Sequence, residues 1–338
     1  MATGNRTPPK LAAERKDMMS PSTFCPRLWK DVFIDPKGDV YGCCHRKPVA
    51  IGNIYQQKLQ DICNSSTIQQ LRQKSLDGQL ECYEQCSLID KKAEHQIPDN
   101  TAFKYAQLKK LKIEFGELCN ISCVMCPQDH KSRTVLSFEK LVENVDLGPF
   151  ESINIQGGEP MAIAAAKKFY EYVVSKNKQP LFMTNGLLIN DEWAEKIAMG
   201  SAFIYISLNA ATAETHEMVN RGSKWDVVLK NIRKLRDARE RNGTDLKILG
   251  HMTIIVENIH EIPLFIRDFE QFGVDQIDFG YDSKVPGYLS GNPFLRIALK
   301  RDIYKALRAV KDLSLVDLKR IRMLGLLAEE IPCSTPKR

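Results

Sequence analysis

The sequence predicts an α/β fold, a partial (β/α)6 barrel of the TIM type preceded by a small cysteine-rich domain. Two observations carry this reading. Strand-like runs recur at 111–116, 152–157, 181–185, 203–208, 246–256 and 275–281, separated by stretches of helical periodicity. Of the ten cysteines, Cys25, Cys43, Cys44, Cys63, Cys82 and Cys86 fall in the first hundred residues, where that alternation is missing. Right-handed crossovers curl the six units into a barrel and gather the functional loops at the C-terminal ends of the strands.

Taken in order, Met1 to Pro21 is polar, contains Pro8-Pro9 and reads as a flexible lead-in. The apolar alternation Val32-Phe-Ile34, then Asp35-Pro-Lys-Gly38 and Val40, reads as a hairpin that brings Cys25 and Cys43 together. Ile51-Gly-Asn-Ile54 and an amphipathic stretch from Leu59 to Leu71 follow, then Cys82-Tyr-Glu-Gln-Cys86. Within the barrel, one helix sets Trp225, Val228, Ile232 and Leu235 on a single face, and the next sets Ile259, Ile262, Phe265, Ile266 and Phe269. Lys284 to Pro293 reads as a loop, followed by helices near 295–312 and 314–329. A chain of 338 residues, 43% hydrophobic, can bury a full core and accommodates two domains. No apolar run reaches membrane-spanning length, and nothing resembles a secretory signal, which places the protein in the cytoplasm.

The chemistry begins at Cys119-Asn-Ile-Ser-Cys-Val-Met-Cys126. Three thiolates at this spacing hold a four-iron cluster at three corners and leave one iron open to a chelating amino acid. The spacing, with Met125 before the third cysteine, resembles the signature of the radical S-adenosylmethionine (SAM) enzymes. Leu111-Lys-Ile-Glu-Phe115 upstream reads as the strand that delivers the loop. Further motifs follow in the family's order. Gly157-Gly158-Glu159-Pro160 ends the second strand, where paired glycines admit a close backbone approach and a carboxylate can accept from the SAM ammonium group. Asn185 in Phe182-Met-Thr184-Asn185-Gly186, and Ser207 with Asn209 in Phe203-Ile-Tyr-Ile-Ser207-Leu-Asn209, resemble residues that approach the sulfonium and ribose. Arg221, in the stretch from Ala210 to Gly222, is similar to the arginine that pairs with the SAM carboxylate.

The N-terminal segment resembles the auxiliary-cluster module of the same enzymes, called SPASM or, in its one-cluster form, twitch. The family usually carries it after the barrel; here it comes before. The resemblance implies that Cys25, Cys43, Cys82 and Cys86 complete one auxiliary [4Fe-4S] cluster. Cys44 is either a spare thiol or the ligand in place of Cys43, and Cys63 reads as a small buried apolar side chain. The implied organisation is a lead-in at 1–22, a SPASM/twitch-like domain at 23–105, the radical SAM barrel at 106–285 and a helical extension at 286–338. Zinc remains an alternative for the cysteines, whereas the need for reduced thiols argues against a disulfide framework.

Two clusters also temper the charge. The formal net charge of +6 is offset by about −3 once seven thiolates and two cores of about +2 each are counted. Runs such as Arg233 to Arg241 read as a solvated helix face, which argues against a nucleic-acid partner.

The implied reaction is reductive cleavage of SAM to a 5′-deoxyadenosyl radical that takes a hydrogen atom from a peptide or small natural product. The target carbon must sit about 3 to 3.5 Å from C5′. An auxiliary cluster points to oxidation, by dehydrogenation, or to crosslinking. Electrons would come from a low-potential donor such as flavodoxin or ferredoxin. Asp129, His130, Asp278, Tyr281 and Asp282 are candidates to bind substrate or take a proton, and Cys333 could serve as a hydrogen-atom donor in a redox-neutral epimerase. The reading from another class is a non-catalytic cysteine-rich module that binds metal and nucleic acid.

Overall fold

The computed structural model describes residues 19–20, 24–43, 49–80, 82–83 and 101–328. The expectations for the first 18 residues, for Cys44, Cys86 and Cys333, and for the side chain of Cys82 lie outside the described residues. The chain divides into two compact units: Met1–Lys112 with Glu139–Glu151, and Ile113–Phe138 with Ser152–Arg338.

In the first unit the hairpin forms where the turn chemistry asks for it. Strands Asp31–Ile34 and Asp39–Tyr41 pair antiparallel, with Ile34 opposite Val40. The Asp35 carboxylate accepts the amides of Lys37 and Asp39, while Gly38 takes the φ of +80° that closes the turn. A third strand, Gly52–Asn53, joins Asp39–Tyr41. The expected amphipathic stretch divides into helices Leu59–Ile62 and Ser66–Leu76, broken around Cys63 to Ser65. Ile34, Val40, Ile54, Leu59 and Ile62 are fully buried and form the centre of this unit. The segment 139–151 belongs here because the Asn144 amide donates to the Ile54 carbonyl and the Tyr105 hydroxyl donates to the Asp146 carbonyl.

In the second unit the six strands are β1 (Lys110–Glu114, entered from the first unit), β2 (Ser152–Gln156), β3 (Pro180–Thr184), β4 (Phe203–Ser207), β5 (Lys247–Ile254) and β6 (Gln276–Tyr281). They neighbour one another in sequence order, and the pairings from β2 to β6 are all parallel. This is the α/β partial-barrel architecture. Each strand alternates. Ile153, Ile155, Phe182, Ile204, Ile206, Met252 and Ile254 are buried on one face, against helices such as Ala164–Ser175, Asp191–Gly200 and Trp225–Asn242. Glu114, Asn154, Gln156, Ser207, His251, Thr253 and Asp278 occupy the other, half-buried face.

The C-terminal part corrects two expectations. Lys284–Gly291 is a helix rather than a loop. Its proline stands in the first turn, where amides have no intrahelical acceptor, so the missing N–H costs nothing. Pro293–Leu307 follows as a helix, but the stretch expected at 314–329 holds only the short helix Lys319–Met323. Asp317 donates its amide to the Ile277 carbonyl, which lays this segment along the edge of β6. Among the described residues no helix is long and apolar enough to cross a membrane.

Candidate active site

β1 ends at Glu114 and releases the cysteine loop, which two neighbours hold. On one side Ser122–Cys123 pairs antiparallel with Asn220–Arg221, setting Cys123 opposite Asn220 and Ser122 opposite Arg221. On the other side the Glu159 amide donates to the Leu118 carbonyl at 2.8 Å. Gly157 and Gly158, at φ +99° and +40°, make that approach possible. A Cβ on Gly158 would stand 2.1 Å from the Leu118 carbonyl oxygen, so the second glycine is required by its contact as well as by its backbone. Gln128 ties the parts together. Its amide NH2 donates to Glu114 at 2.7 Å and its oxygen accepts the Gly158 amide at 3.1 Å.

Glu159, 1% exposed, braces β2 against β3. Its carboxylate accepts from the Met161 amide, the Thr184 hydroxyl and the Asn185 amide at 2.9, 2.7 and 2.8 Å. Burial raises its pKa, and the three donors pull in the opposite direction. Asn185 turns its amide NH2 to Asn120, beside Cys119. Asn209 sits at φ +59°, a left-handed conformation that asparagine tolerates. Its side chain donates to Asn220 at 2.9 Å and accepts the Thr253 amide at 2.8 Å. Thus the turn after β4, the strand beside the cysteine loop and β5 are joined through one side chain.

A cavity of about 330 Å³ opens among these elements, lined by the three cysteines, Gly158, Glu159, Asn185, Ser207, Asn209 and Thr253. His130 also lines it, its Nε2 3.3 Å from the Cys126 sulfur. Arg221 stands outside this lining, exposed on its strand. The Asp282 carboxylate accepts the Lys284 amide at the head of a helix, and Tyr281 lies under the Arg320 guanidinium, 5.8 Å from the ring centre. Asp129 caps its own turn through the Lys131 amide.

Sequence reasoning missed Gln128, Asn220 and His251 here, and so the pairing of His251 with Asp278. His251 Nδ1 lies 2.7 Å from Asp278 Oδ1, and Nε2 lies 3.1 Å from the hydroxyl of Thr253 on the cavity wall. Strand parity could have flagged His251 and Thr253 as sharing the polar face of β5.

The donor set fits an iron-sulfur cube. Burial raises the thiol pKa values of all three cysteines, and for Cys123 burial and then the neighbouring thiolates push it up to about 12. The positive charge of a cluster core would offset both effects. A tetrahedral zinc ion needs its sulfurs converging at about 2.3 Å from one point. A cube instead binds each thiolate to a different iron, which keeps the sulfurs apart. In the first unit, Cys25 is buried and Cys43 is half-buried.

The radical SAM superfamily model matches residues 113–269, and the model of an iron-sulfur cluster-binding domain, SPASM, matches residues 25–87. The chain carries a radical SAM domain, with a SPASM domain ahead of it. Its cofactors are therefore SAM, the [4Fe-4S] cluster that binds it, and an auxiliary iron-sulfur cluster. The mycofactocin maturase MftC of Mycolicibacterium smegmatis is 24% identical over 166 residues, 47% of this chain and 41% of that protein. The GTP 3′,8-cyclase of Peptoclostridium acidaminophilum is 27% identical over 199 residues, 55% of this chain and 58% of that one. The chain thus spans about half the length of these curated relatives. Among solved structures, Streptococcus suis SuiB bound to its precursor peptide SuiA aligns with a TM-score of 0.42 at 18% identity, covering 53% of this chain and 40% of that one.

Proposed function

We propose that the protein cleaves SAM reductively and uses the 5′-deoxyadenosyl radical to take a hydrogen atom from a peptide or other small natural product, ending in dehydrogenation or a crosslink. The observation that supports this best is the cavity where the cysteine loop, the Gly157-Gly158 turn and the polar ends of β4 and β5 meet. Bound there, the cluster and SAM supply a one-electron cleavage of a carbon-sulfur bond.

The chain's own residues bind, orient and enclose. Cys119, Cys123 and Cys126 hold the cluster. Gly157 and Gly158 leave room for the ligand, Glu159 and Pro160 fix the turn, and Asn185, Ser207 and Asn209 offer polar atoms to the nucleoside. Arg221, on the strand paired with the cysteine loop though outside the cavity lining, is assigned as the cation for the SAM carboxylate. Ile121, Met125 and Met183 give the cavity apolar walls that keep water from a reactive carbon.

An oxidation must also remove a proton and an electron from the substrate radical; the electron would pass to the auxiliary iron-sulfur cluster. The Asp278 carboxylate only accepts, so it engages the Nδ1–H of His251 and orients Nε2 to the Thr253 hydroxyl. His251 is assigned as proton acceptor through the Thr253 hydroxyl, with Asp278 as its positioning residue. Kinship with mycofactocin maturases supports a peptide substrate. A low-potential donor of the flavodoxin or ferredoxin kind would deliver the electron.

The test is anaerobic reconstitution followed by reduction in the presence of SAM and deuterated candidate peptides. Deuterium recovered in 5′-deoxyadenosine is the expected result. Deoxyadenosine free of deuterium, with substrate converted, would contradict hydrogen abstraction.

A further inference from the structure

In the cysteine loop, Cys126 is met by a side-chain nitrogen at close range. His130 Nε2 lies 3.3 Å from its sulfur, and both residues are half-buried. Two other side chains near the triad's sulfurs do not compete for this role. The Asn185 amide nitrogen stands 4.0 Å from the Cys119 sulfur and donates to Asn120 at 2.8 Å. The Gln128 side-chain oxygen is 3.8 Å from the Cys126 sulfur but has no hydrogen to give, and it already accepts the Gly158 amide. The hydrogen of the His130 contact has to come from the ring, because a sulfur bonded to iron carries none.

The backbone fixes the imidazole in that place. Asp129 to Ser132 form a turn in which the Ser132 amide donates to the Asp129 carbonyl at 2.9 Å. The Asp129 carboxylate accepts the Lys131 amide at 3.0 Å and closes the same turn a second time. His130 occupies the first of its two central positions. Just downstream, Val135 bridges Gly116, and the Leu136 amide donates to the Phe115 carbonyl at 2.9 Å. The turn is therefore tied on one side to the third cysteine and on the other to the residues that follow β1. A donor held by backbone in this way is preorganised, so it has little to rearrange when the charge on the sulfur changes.

We infer that His130 is a fixed hydrogen-bond donor to the SAM-binding cluster through Cys126, and that it raises the reduction potential of that cluster. The inference rests on the reading of Cys119, Cys123 and Cys126 as the cluster's ligands. Three thiolates around an oxidised core of about +2 leave a net charge of about −1, which becomes about −2 on reduction. Part of the added charge resides on the sulfurs, so an N–H aimed at one of them favours the reduced state. A donor of given potential then loads its electron into a larger fraction of the protein.

The experiment is an EPR-monitored redox titration of the full reconstituted chain, without SAM and at one pH. The signal of Cys123→Ala, which should lack the cluster of the triad, is subtracted. Native protein, His130→Phe and His130→Gln are compared, with iron counted in each. With Phe, which keeps a ring and loses the N–H, the reduced-to-oxidised ratio at a fixed potential should fall roughly tenfold, equivalent to about 59 mV for one electron. With Gln, whose amide keeps a donor, it should stay within about threefold of the native protein. A full complement of iron with an unmoved potential in His130→Phe overturns the inference, as does a Gln variant that shifts as far as Phe. A native protein whose iron and signal equal those of Cys123→Ala would instead sink the ligand reading, and the inference with it. If His130→Phe does not assemble its cluster, His130→Ala carries the same expectation.

Discussion

His251 and Asp278 are direct neighbours in the parallel register of β5 and β6, and their side chains meet at 2.7 Å. Ser207 on β4 is the register partner of His251 on its other side. A row of three polar residues therefore crosses three strands on the face that bears the cavity. Replacing His251 by Gln should lower product formation by about 10². Formation of 5′-deoxyadenosine should change by less than about threefold, because the radical is made before the proton moves. Chromatographic quantitation of both compounds in one assay checks this, and equal losses in both would assign His251 a structural role.

Gly158→Ala should abolish SAM cleavage. Its added methyl meets backbone at 2.1 Å, in a position already at positive φ, so the cysteine loop has to move. Gly243→Ala is the control. Gly243 also has positive φ, but nothing lies within 4 Å of its missing Cβ, and a cost of about 1 kcal/mol with unchanged activity is expected. Iron content and thermal unfolding separate the two cases.

Much of this was readable because it is local. The strand runs, the Cys119 to Cys126 spacing and the Gly157-Gly158 pair each declare themselves within a few residues. What the sequence concealed depends on register or on tertiary neighbours. Nothing near His251 announces that Asp278, 27 residues later, will lie beside it. Arg72, just past the stretch read as amphipathic, gives no local sign that Leu28 and Phe103 close over it. Lys284–Gly291 was misread for the opposite reason, since its Pro and Gly signal a loop locally whereas the first turn of a helix accepts the proline.

Gln128 should matter through its two-sided amide. In Gln128→Glu a carboxylate would face the Glu114 carboxylate now 2.7 Å from the amide nitrogen, and like charges at that distance repel. SAM affinity should fall roughly tenfold with the cluster retained, as measured by equilibrium dialysis under anaerobic conditions. Unchanged affinity would remove Gln128 from the site's framework.

His216 gives a pH signature. It is fully buried, held between the Leu208 carbonyl and the Ser223 hydroxyl, and burial lowers its pKa below the ordinary value of 6.5. The folded state therefore binds this proton less readily than the unfolded chain. Its contribution is fully present above about pH 6.5 and declines as pH falls toward the folded pKa, by at most about 1.4 kcal/mol per pH unit. Unfolding midpoints of the native protein and of His216→Gln, followed from pH 7.5 downward, should converge. Parallel curves would contradict this origin.

The most direct measurement is the yield of 5′-deoxyadenosine from reconstituted, reduced protein supplied with SAM, set beside the same assay on Cys123→Ala. The native protein should release the nucleoside while the variant releases none. A native protein that carries its full iron and leaves SAM intact, or a variant that cleaves it equally well, would contradict radical chemistry at the Cys119–Cys126 loop.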